Sequence, residues 1–77
     1  MTLRLKRDMI QAGGEKMTLR AARVNAGLTQ KQAAKMLNIS VDTLRNYEKG
    51  RSFPNSQKIK LIESVYSVSY NDLIFLP

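Results

Sequence analysis

Val41, Asp42, Arg45, Asn46 and Lys49 recur at intervals that bring them onto one face of a short helix, and that face is mixed, polar and able to hydrogen-bond. Its chemistry is recognition rather than bond-making. The Asn46 amide carries a donor and an acceptor side by side, which matches an adenine edge. Arg45 can read guanine or a phosphate, Asp42 can accept from a cytosine amino group, and Val41 can pack on a thymine methyl. Thr43 adjoins them and could serve the local cap or touch a phosphate. Catalysis has little to work with. The chain has no Cys and no His, which removes thiolate nucleophiles, disulfides, zinc fingers and the commonest general base. It carries no nucleophile and base pair, no metal-ligand cluster and no phosphate-cradling glycine loop, so no catalytic residue, cofactor or metal is expected.

Such a face needs a frame, and the flanking residues supply its punctuation. Thr29 and Ser40 are hydroxyl N-caps, each preceded by an apolar residue, Leu28 or Ile39; Gln32 completes a capping box with Thr29, and Ile39 can staple to Leu44. Two helix starts this close leave room only for a sharp turn, so residues 28–50 read as a helix-turn-helix whose second helix spans 40–49. Ala33, Ala34, Leu37, Ile39, Leu44 and Tyr47 form its apolar side. Upstream, Thr18 caps a first helix over 19–26, which Gly27 closes in the left-handed region. Downstream, Gly50 ends the motif, Phe53-Pro54 marks an extended loop, and Asn55 or Ser56 opens a fourth helix with Ile59, Ile62, Val65 and Tyr66 on one face. Ser69 is expected to cap a fifth, short helix through a box with Asp72, with Val68 stapled to Leu73. The expected fold is all-α, a compact five-helix domain over 17–77 behind a flexible basic leader, 1–16, that contains the breaker Gly13-Gly14 near its end.

A chain of 77 residues can bury one small core. Its 13 Lys and Arg against 6 Asp and Glu are unevenly placed: residues 20–60 hold nine basic residues against Asp42 and Glu48, whereas residues 61–77 hold only Glu63 and Asp72. A positive field centred on the helix pair points to a polyanion as partner. No apolar run approaches a membrane span, and the first sixteen residues lack the apolar core and cleavage site of a signal peptide. The expected location is therefore the cytoplasm of a bacterial or phage-infected cell, on the nucleoid.

Arg23, Gly27-Leu28-Thr29-Gln30, Ala34, Ile39-Ser40 and Tyr47-Glu48-Lys49-Gly50 stand in one register. On these motifs residues 18–76 resemble the helix-turn-helix domain of the phage repressor and Cro family, also called the xenobiotic response element type. The resemblance implies a regulator of transcription, of phage or mobile-element kind, that binds a double-stranded DNA operator. Base contacts are then expected from Val41, Asp42, Arg45 and Asn46, and backbone contacts from Thr29, Gln30, Thr43, Lys49 and Arg51. Gln30, in the first turn of its helix, would anchor register on a phosphate. Arg23 and Glu48 would pair as scaffolding, the alternative being two solvated charges. Asn38 stands where Gly is usual in the turn, a change Asn tolerates because it enters the left-handed region readily.

Three further expectations concern the ends of the chain and the competing function classes. Met17-Thr18-Leu19-Arg20 repeats Met1-Thr2-Leu3-Arg4, so either translation starts at Met17 or the leader is an arm that reaches into the minor groove. Leu73-Ile74-Phe75-Leu76 either joins two copies into a homodimer or closes the monomer core. No small-molecule sensor is expected, which makes the chain a minimal regulator. The alternative class, an adaptor or antitoxin-like module that binds protein, calls for an apolar outer face on the second motif helix, where Asp42, Arg45, Asn46 and Lys49 stand instead.

Overall fold

A computed structural model of the chain describes residues 16–75. Most of the expected leader and the last two residues of the tail lie outside that range. The described residues form β1 (Met17–Thr18), α1 (Leu19–Asn25), α2 (Gln30–Met36), α3 (Val41–Glu48), α4 (Ser56–Tyr66), a 3-10 turn (Tyr70–Asp72) and β2 (Leu73–Ile74). No helix among them is long and apolar enough to cross a membrane.

Each helix begins where a side chain can satisfy its free N–H groups. Thr18, Ser40 and Asn55 accept from the backbone N–H of Ala21, Thr43 and Lys58, and Thr29 and Gln32 form the complete reciprocal box. The helices end in left-handed residues. Gly27 has φ 77° and Gly50 φ 74°, Asn38 turns the chain between α2 and α3 at φ 58°, and Ser67 closes α4 at φ 56°. Ser67 has no sequence signal, since serine is not among the residues that favour this conformation. A further stop comes from outside the helix: Lys58 Nζ on α4 donates to the Leu37 carbonyl at 2.8 Å, where α2 runs out of partners.

Leu19, Ala22, Ala33, Ala34, Leu37, Leu44, Ile62, Tyr66 and Leu73 make one core. Ile39, Val41, Tyr47, Val65 and Val68 pack against it at partial exposure. Ala33 and Ala34, both buried, let α2 approach its neighbours closely, and Leu44 seats α3 on the same centre.

The five-helix expectation is corrected to four α-helices among the described residues, with a small sheet in place of the fifth. Ser69 does cap, but it accepts from Asn71 N at 3.3 Å, and the turn closes after Asp72 N reaches the Ser69 carbonyl at 2.9 Å. Leu73 then extends, with φ −102° and ψ 142°. β2 pairs in parallel with β1, Met17 opposite Leu73 and Thr18 opposite Ile74. Buried Leu73 and a strand partner far away in sequence outweigh the local helix signal, a tertiary effect that capping rules do not contain. Within one copy, Leu73 enters the core, and the Phe75 ring lies tilted against Phe53 and Tyr70, with centroids 4.8 Å and 5.7 Å away.

Candidate nucleic-acid interface

The site is assembled around a buried ion pair. Arg23 of α1 donates from Nε to Glu48 Oε2, at the end of α3, over 2.7 Å, and the two side chains retain only 9% and 4% of their exposure. Arg23 Nη1 also donates to the Leu28 carbonyl at 2.9 Å in the loop that opens α2. One guanidinium thus ties α1 to the α1–α2 loop and to the end of α3. Two charges this deeply buried are tolerated because they meet at charge-assisted distance, with Arg23 Nη1 and Glu48 Oε1 also hydrogen-bonded. The solvated-charge alternative does not hold.

The second carboxylate oxygen continues the network. Gln30 Nε2 donates to Glu48 Oε1 at 3.1 Å, and Gln30 Oε1 accepts from Arg45 Nε at 3.4 Å. Arg45 Nη1 in turn lies 3.4 Å from Asp42 Oδ1, one turn earlier on α3. That last pair is open to water, with side-chain exposures of 52% and 88%, so it organises more than it stabilises. Tyr66 lies on the protein side of the ion pair. Its hydroxyl is buried with no partner among the described residues, and burial, reinforced by the Glu48 charge and opposed by Arg23, pushes its pKa up to about 12.

Asp42 and Arg45 are exposed on α3, Asn46 is half-buried at its edge, and Lys49 and Arg51 are exposed just beyond its end. Val41 departs from the expected grouping: it is half-buried and packs against the core, because the first residue of so short a helix borders the apolar side. Thr43 is engaged locally. Its N–H donates to Ser40 Oγ at 3.0 Å, and its hydroxyl accepts from the same Ser40 Oγ at 2.9 Å. The Thr29 hydroxyl accepts from Gln32 N at 3.1 Å and so belongs first to the cap of α2.

Arg20, Arg23, Thr29, Gln30, Arg45, Glu48 and Lys49 line a single shallow cleft between α1, α2 and α3. Arg20 was not among the expected contacts. Its signal is its place three residues before Arg23, which brings it to the same side of α1 while it remains exposed.

A family model described as helix-turn-helix matches residues 19–73. Among curated proteins, the chain is 39% identical over 56 residues to the HTH-type transcriptional regulator ImmR of Bacillus subtilis (strain 168), an alignment covering 73% of this chain and 44% of ImmR. It is 32% identical over 56 residues to the HTH-type transcriptional activator BcrR of Enterococcus faecalis, covering 73% of this chain and 28% of BcrR. The chain thus spans less than half of the length of these relatives. No solved structure matches it.

Proposed function

The chain belongs to the helix-turn-helix family, and from that premise we propose that it is a sequence-specific, double-stranded DNA-binding regulator of transcription, of the phage or mobile-element repressor kind. The observation that carries the reading is the polar outer side of α3. Asp42, Arg45 and Asn46 project from a helix held at one end by the Asn38 turn and at the other by the buried Arg23–Glu48 pair. A short helix fixed in this way is what the major groove admits. The names of ImmR and BcrR as transcriptional regulators support the same reading.

In this proposal Arg45, Asn46 and Asp42 address base edges, with Val41 offering apolar contact from the edge of the core. Lys49, Arg51 and Arg20 neutralise phosphates, and Thr29, Gln30 and Thr43 supply neutral backbone contacts with the hydrogen-bonding capacity that their caps and partners leave free. The binding unit on DNA is a homodimer, which would set two copies of α3 about 34–36 Å apart on a two-fold operator. Exposed Phe53 and Tyr70, at 57% and 44%, support a contact between copies along the aromatic edge that Phe75 completes.

Selection of bound sequences from a random duplex pool tests the reading. An enriched two-fold motif whose affinity falls steeply with added salt is expected, and a pool that remains unenriched overturns it.

A further inference from the structure

Resting on the DNA-binding reading, we propose that Gln30 is a specificity-determining positioning residue: it presents the end of the Arg45 guanidinium to a guanine. A side-chain amide can sit in two orientations that exchange its oxygen and nitrogen. Here its surroundings permit one. A carboxylate only accepts, and Glu48 Oε1 lies 3.1 Å from Gln30 Nε2; a guanidinium only donates, and Arg45 Nε lies 3.4 Å from Gln30 Oε1. Glu48 cannot swing away, because its other oxygen is held by Arg23 at 2.7 Å in a buried pair. The buried scaffold thus fixes which atom of Gln30 faces Arg45.

The consequence falls on Arg45. Its Nε–H is occupied by Gln30 and one Nη1–H faces Asp42 at 3.4 Å, which leaves one Nη1 proton and both Nη2 protons, enough for an end-on fork. That end-on fork is the arrangement that meets O6 and N7 of guanine together. With 52% of its side chain exposed, Arg45 can reach a ligand while its orientation is set in advance, so less rotamer freedom is lost on binding. A glutamine that served only as a phosphate anchor would carry no sequence information. Gln30 acting through Arg45 carries it at one base pair.

The test uses the full chain and a duplex selected by the parent protein. Arg45→Ala identifies the base pair whose discrimination it abolishes. Gln30→Met, which keeps the length of the side chain and removes both hydrogen bonds, is expected to lower discrimination at that same pair by about tenfold, and to have no effect on discrimination there when Arg45 is already Ala. Undiminished discrimination in Gln30→Met, or an Arg45→Ala variant that reads every base pair as the parent does, overturns the proposal and leaves DNA binding intact. A parent protein that prefers no sequence overturns both. In the DNA-free protein, the Arg45 Nε–H resonance is expected to be protected from solvent exchange and to lose protection in Gln30→Met; equal exchange in the two proteins removes the contact on which the proposal stands.

Discussion

Arg23 and Glu48 stabilise the domain only as a pair, because each alone would be a buried charge without its counter-ion. Arg23→Met is therefore expected to cost about 3 to 5 kcal/mol, whereas adding Glu48→Leu to it should recover a large part of the loss, since an apolar pair of similar volume carries no desolvation penalty. Thermal melts of parent, single and double variants check this; a single variant that melts with the parent refutes the pair's structural weight. Tyr66 makes a second, pH-dependent prediction. Its folded pKa of about 12 lies above the ordinary 10.0, so the folded state holds the phenol proton more tightly than the unfolded chain. Its contribution is fully present below pH 10 and is lost as pH rises toward 12, by about 3 kcal/mol in all. Tyr66→Phe loses no hydrogen bond to the described residues, so it should match the parent at pH 7 and lack this part of the alkaline fall in denaturant titrations. The sequence made the ion pair legible through its resemblance, and it also singled out Gln30 as an expected phosphate contact. It could not disclose that Gln30 links Glu48 to Arg45, because hydrogen bonds between residues 18 and 15 apart follow from packing and have no local signature.

The helices were legible where their causes are local. Thr29 with Gln32, Thr18, Ser40 and the left-handed Gly27 and Asn38 are all decided within a few residues of chain, and all stand as read. Elements decided at a distance were not legible. The sheet pairing of Met17 with Leu73, and the Lys58 cap on α2, join segments that only the completed core brings together. The α2–α3 turn gives the element-scale prediction. At φ 58°, Asn38 occupies a conformation that a residue with an ordinary Cβ adopts at a cost of roughly 1–2 kcal/mol. Asn38→Ala should destabilise by about 1 kcal/mol, and Asn38→Gly should be neutral or slightly stabilising. Urea midpoints order the three proteins Gly, Asn, Ala if the turn controls the angle between α2 and α3; an Ala variant as stable as Asn would show that the turn bears no strain.

At the scale of the whole molecule, charge is unevenly placed along the chain. Arg20, Lys49 and Arg51 are exposed around the cleft, whereas Glu63 and Asp72 lie by the 3-10 turn, with Glu63 accepting from Tyr70 N at 2.7 Å. A net charge of +7 distributed in this way draws the α1–α3 side toward a polyanion before any base is read. Each cation that neutralises a phosphate releases counter-ions, so the logarithm of affinity falls linearly with the logarithm of salt concentration, and loss of one such contact flattens the slope by about one. Two-fold symmetry doubles every contact. Lys49→Gln or Arg51→Gln should therefore weaken binding to the selected and the scrambled duplex by similar factors. Each should flatten the salt slope on the selected duplex by about two if two copies bind and by about one if a single copy does. Titrations at several salt concentrations, paired with sedimentation of the protein and of its complex, read both numbers from the same samples. A change near one in a complex that sediments with a single copy would refute the dimer while leaving the phosphate contacts in place; an unchanged slope in both variants would take Lys49 and Arg51 out of the interface.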